Sequence, residues 1–97
     1  MDEDAEMLKR MGLALTEFQV RYRAASLADR VTMKPLLDEL TRDYVDYQLR
    51  LLKEGIITSA EDLQEMTEIE AAINRAAQTQ ELLAALAKTI AFVATKV

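Results

Sequence analysis

A chain of 97 residues in which 51% of side chains are hydrophobic is sized for one small domain and is too apolar for general disorder. Seventeen acidic against twelve basic residues give a formal charge of -5, and the basic residues are dispersed, which argues against a broad phosphate-facing surface; no nucleic acid partner is expected. Cysteine and histidine are both absent, which excludes disulfides, thiolate chemistry and zinc sites built from Cys and His.

The first element is helical. Leu8, Met11, Leu15, Phe18, Tyr22 and Ala25 recur at alternating steps of three and four, which predicts a helix from Glu3 to about Ala28. Leu13, Val20 and Leu27 widen its apolar stripe and suggest contact with two neighbours. Asp2, Glu3, Asp4 and Glu6 favour a helix start, with a tip that frays. Gly12, beside Ala14, is either a tolerated glycine or the mark of a close helix crossing.

Pro35 has no amide proton, so it suits the first turn of a new helix. A boundary is therefore expected between Asp29 and Pro35, either as a true break or as a kink joining two nearly collinear helices. The second helix then runs from about Lys34 to Glu54, with Leu37, Leu40, Tyr44, Tyr47 and Leu51 facing inward. Gly55 ends it in a Schellman turn, with Ile56 folding back on Leu51.

A capping box follows at once, either Thr58 with Glu61 or, one residue later, Ser59 with Asp62. The compact turn makes helices two and three antiparallel neighbours. Neither glycine nor proline occurs after this point, so one long third helix is expected over residues 59–96, about 57 Å long against about 30 Å for the second. Its first half carries a narrow seam of Met66, Ile69 and Ile73. Ile69, Ala76, Leu83, Ile90 and Val97 repeat every seven residues, the pattern of a supercoiled contact, and Gln80 lies in a neighbouring lane as a possible register setter.

From Leu82 to Val97 the helix is apolar nearly all round, with Lys88, Thr89, Thr95 and Lys96 as polar relief. Such a segment is normally enclosed. Covering about 500 Å² of apolar surface contributes about 12 kcal/mol at roughly 25 cal/mol per Å², offset by about 4 to 15 kcal/mol of association cost. The expected fold is thus all-α, a three-helix antiparallel bundle or extended helical hairpin whose long third helix oligomerises. The expected interface is Leu82, Leu83, Leu86, Ile90, Val93 and Val97. Its cover is a second copy, a dimer foremost, or another helical protein, or the chain's own first helix folded back.

Chemistry is sparsely signalled. Asp38, Glu39, Asp43 and Asp46 lie within nine residues on the second helix, where such acids form a solvated face or, alternatively, a magnesium site of an all-helical phosphohydrolase. Glu61, Asp62, Glu65, Glu68 and Glu70 form a second group; Glu70 borders the apolar seam and can pair with Arg75 or with an arginine of the first helix. No nucleophile–base pair is evident. Neither cofactor nor catalytic residue is assigned. The acidic amino end and the lack of cysteine and of an 18-residue apolar run predict a cytoplasmic protein with no transmembrane segment. The expected function is non-enzymatic: a self-assembling adaptor, chaperone or small regulatory subunit.

Overall fold

The structure, a computed structural model, describes residues 2–55 and 57–97. Asp2 opens the first helix, α1 (Glu3–Ala24): its carboxylate accepts from the amides of Asp4 at 3.0 Å and Ala5 at 3.2 Å, and Glu3, Asp4 and Glu6 complement the helix dipole. The helix stops at Ala25, whose backbone is extended. Ser26 then caps α2 (Leu27–Glu54), its hydroxyl accepting from the Asp29 amide at 3.2 Å.

This turn overturns the expected boundary at residues 29–35. The break falls earlier, and Pro35 lies inside α2. Proline is tolerated there because it and Val31, whose carbonyl loses its hydrogen bond, both face solvent, where water can replace the missing donor. Met33, expected in a linker, is fully buried. Arg30 secures the junction by donating to the carbonyls of Ala25 at 3.1 Å and Arg23 at 2.6 Å, the orphan acceptors at the end of α1.

At the end of α2, Gly55 adopts φ 76° and ψ -137°, a conformation only glycine takes readily. The positive φ matches expectation, but this ψ is not that of a Schellman turn. The expected contact of Ile56 with Leu51 lies outside the described residues. The next helix, α3 (Ala60–Arg75), uses the second of the two cap registers: Ser59 Oγ accepts from the Asp62 amide and Asp62 Oδ2 accepts from the Ser59 amide, both at 3.1 Å.

The expected helix over 59–96 is two helices. After Arg75 the chain turns through Ala76, Ala77 and Gln78 and re-enters helix as α4 (Thr79–Ala94). Glu81 receives the amides of Gln78 at 3.0 Å and Ala77 at 3.2 Å, which satisfies two donors at the new amino end. From α1, Arg21 donates to the carbonyls of Ala76 at 2.7 Å and Ile73 at 3.2 Å, closing the carboxyl end of α3. Thr79 donates to Asp29 at 2.8 Å, tying the start of α4 to the start of α2. The longest dimension of the molecule is 40 Å, too short for the uninterrupted third helix.

The result is a four-helix bundle, which replaces the expected three-helix bundle or hairpin. Asp4 reaches the start of α3 while Arg21 reaches its end, so α1 and α3 run parallel. Asp29 with Thr79, and Arg50 with the Lys96 carbonyl at 2.6 Å, make α2 and α4 parallel as well. The contacts run α1 to α2, α2 to α4, α4 to α3 and α3 to α1, so α2 and α3 stand diagonally apart. They are not the neighbours expected from the short turn, because α4 returns between them. Methionines fill much of the shared core: Met7, Met11, Met33 and Met66 are fully buried beside Phe18, Leu40, Tyr47, Ile69, Leu86 and Val93. Among the described residues no helix is long and apolar enough to cross a membrane.

Candidate functional site

The apolar half-helix has its cover within the chain. Leu82, Leu86, Ile90 and Val93 are buried, Leu83 is half-buried against the same core, and Val97, beyond α4, is 52% exposed. The covering elements are α2 and α3, whereas α1 stands across the bundle. Helix α4 is two-sided, where its sequence is apolar nearly all round. Thr89 is fully buried with its hydroxyl donating to the Ala85 carbonyl at 2.8 Å, while Ala84, Ala87, Ala91 and Ala94 face outward. Alanines supplied the apolar character of the outer face, and they expose little area. Gln80 is exposed in the first turn of α4, and the seven-residue lanes are cut by the turn at Ala76–Gln78.

The carboxylates are dispersed or occupied. Asp38 pairs with Lys34 at 3.1 Å on the outside of α2, while Glu39 and Asp43 are half-buried and Asp46 is exposed. Among the described residues no group of three or more Asp or Glu side chains converges as a metal site. On α3, Glu70 pairs with Arg10 of α1, whose Nε donates to Glu70 Oε2 at 3.1 Å and whose Nη2 donates to Thr67 Oγ1 at 2.9 Å. The hydrogen bond to Glu70 raises the Arg10 pKa above its usual value, against the opposing effect of burial.

A buried polar group closes the end of the bundle where α1 and α3 begin and α2 and α4 finish. Asp4 Oδ1 accepts from the amides of Thr58 at 2.9 Å and Ile57 at 3.2 Å. Asp62 pairs with Lys96, and the Lys96 ammonium also lies 5.3 Å from the Phe92 ring centre. Burial opposes the charge on Asp62. The Lys96 ammonium and the Ser59 amide and hydroxyl outweigh that cost and hold the carboxyl below its usual range. Tyr47 is fully enclosed, and burial drives its phenol upward against the opposing effect of the nearby Thr58 hydroxyl; both hydroxyls are buried, and neither makes a well-formed hydrogen bond among the described residues. Every carboxylate here already serves an amide or an ammonium, so the cluster acts as a staple. Asp4, expected to fray, is its central member.

Most of what the bundle leaves uncovered lies on α2. Among the described residues eight large apolar side chains are exposed, and five of them, Leu27, Val31, Val45, Leu49 and Leu52, project from the outer face of that one helix, at up to 79% exposure. They occupy the face opposite Leu37, Leu40, Tyr47 and Leu51, which are in the core. Leu13 and Val20 of α1, expected with Leu27 to widen its inner stripe, are also exposed. The sequence signal was the spacing 45, 49, 52, one helical lane; it was obscured at the other end because Leu27 fell to the wrong helix. No protein-family model matches the chain, and comparisons with curated proteins and with solved structures find no match.

Proposed function

We propose that this chain is a helical protein–protein interaction module, acting as a self-assembling adaptor, chaperone or small regulatory subunit. The observation that carries the reading is the concentration of exposed leucine and valine on one face of α2. An apolar stripe at helical spacing is how one helix recognises another. Fully burying one such side chain contributes about 1.5 to 3 kcal/mol, so recovering most of the five contributes about 5 to 9 kcal/mol from this side alone. That approaches the association cost of about 4 to 15 kcal/mol, and the partner's own apolar surface supplies the remainder.

The test compares the wild-type chain with a Leu49→Lys, Leu52→Lys variant by light scattering of purified protein and by affinity capture from the native host. Both side chains are exposed, so the variant should keep its helicity and its melting temperature within a few degrees. The reading expects it to lose either self-association or a captured protein. Identical behaviour of the two chains in both assays would refute it.

A further inference from the structure

The outer face of α2 is complementary to itself when the helix is reversed. On a helix of 3.6 residues per turn, positions eighteen apart fall in one lane after about five turns. Val31 and Leu49 share such a lane, Leu27 and Val45 share the next, and Lys34 and Leu52 a third, all on the exposed side. Reversal about a point on the outer face between the levels of residues 39 and 40 brings Val31 opposite Leu49 and Leu27 opposite Leu52, each to within half a residue, so apolar meets apolar at both ends. It also exchanges Asp38 with Arg42, so acid meets base on either side of the centre. Lys34 changes places with Val45 and can lay its methylene stem over it.

Within the chain this central charge arrangement is incomplete. Asp38 meets Lys34, 3.1 Å away on its own helix, and Arg42 has no ion-pair partner among the described residues. An antiparallel second copy supplies it: Asp38 of each chain faces Arg42 of the other, two equivalent pairs flanked at each end by two apolar contacts. A surface whose residue i meets j while j meets i is the signature of a two-fold interface. A partner of another sequence would need the same reversed pattern. Resting on the interaction-module reading above, we infer that the partner is a second copy of this chain, docked through the outer face of α2 in antiparallel orientation about a two-fold axis that passes between Asp38 and Arg42.

Charge reversal tests this geometry without touching the core. Asp38→Arg alone sets two arginines against each other at both pairs, and Arg42→Asp alone sets two aspartates. Sedimentation equilibrium should show either single variant dimerising about ten-fold more weakly than wild type. An equimolar mixture of the two variants should recover wild-type affinity as a heterodimer, because each arginine pair of one chain then meets the aspartate pair of the other. The Asp38→Arg, Arg42→Asp double variant should recover it as a homodimer. Circular dichroism confirms that each variant is folded.

Dimerisation of the wild type with no recovery in the mixture would overturn the α2 two-fold. A wild type that stays monomeric up to about 100 μM would overturn the second copy as partner. In that case, loss of a captured host protein by the Leu49→Lys, Leu52→Lys variant leaves the interaction-module reading standing, and unchanged capture removes both.

Discussion

Asp4→Ala should be among the most damaging single changes outside the hydrophobic core. The Asp4 side chain is buried at 9% exposure, and its Oδ1 is the acceptor for the Thr58 amide at 2.9 Å and the Ile57 amide at 3.2 Å. Truncation leaves the buried Thr58 amide without a partner, at about 1 to 3 kcal/mol. The Ile57 amide is only half-buried and water can reach it, so its loss adds less than about 1 kcal/mol. A total of about 2 to 3 kcal/mol corresponds to a fall in melting temperature of about 10 to 20 °C for a domain of this size. Asp4→Asn, which keeps a carbonyl oxygen and loses the charge, should cost about 1 kcal/mol. Urea unfolding followed by circular dichroism measures all three proteins, with Glu3→Ala as the exposed control. If Asp4→Ala costs no more than Glu3→Ala, Asp4 belongs to a fraying tip and the staple is refuted.

Leu86→Ala should cost about 2 to 5 kcal/mol, because Leu86 is fully enclosed by the chain's own helices; Leu52→Ala, tested by the same unfolding assay on monomeric protein, should stay within about 0.5 kcal/mol. Tyr47→Phe removes a buried hydroxyl whose neighbour, the Thr58 hydroxyl, is not in good hydrogen-bond geometry, and should leave stability unchanged or raise it by up to about 1 kcal/mol; a clear loss would show that the two hydroxyls bond to each other in solution. The depressed Asp62 carboxyl makes stability pH-dependent. Its contribution is present above the ordinary value of 3.8 and is lost as pH falls through the lower folded value. Acid titration of the unfolding midpoint should therefore decline less steeply below pH 4 in Asp62→Asn than in wild type.

Which side chains meet was only partly legible. Of the two pairings open to Glu70, with Arg75 or with an arginine of the first helix, the structure makes the second, with Arg10. Asp4 with Thr58 did not announce itself, because one carboxylate among several at an acidic start carries no mark of the loop it will meet. The candidate surface was half visible: Val45, Leu49 and Leu52 share a lane in the sequence, but identifying them as exposed required knowing which face of α2 the other helices take. The apolar run from Leu82 to Val97 misled for the same reason, since hydropathy counts an outward alanine and an inward leucine alike.

The sequence by itself determined the helical class, the start of α1 at Glu3, the end of α2 at Glu54 before Gly55, the start of α3 within a residue, and the inward lane of Leu37, Leu40, Tyr47 and Leu51. Each rests on periodicity, on a capping side chain or on a glycine with positive φ, all set within a few residues. The break at Ala25–Ser26 is marked locally, by the Ser26 cap and by Arg30, at a place the proline overshadowed. Only the tertiary structure decided the break at Ala76–Gln78, and with it four helices in place of three. Continuing a helix through Ala-Ala-Gln-Thr differs from breaking it by only fractions of a kcal/mol per residue. Arg21, from more than fifty positions away, joins Glu81 in satisfying the backbone groups that the second break exposes, and Asp29 anchors the Thr79 hydroxyl beside them. A choice so finely balanced locally is made by those distant partners.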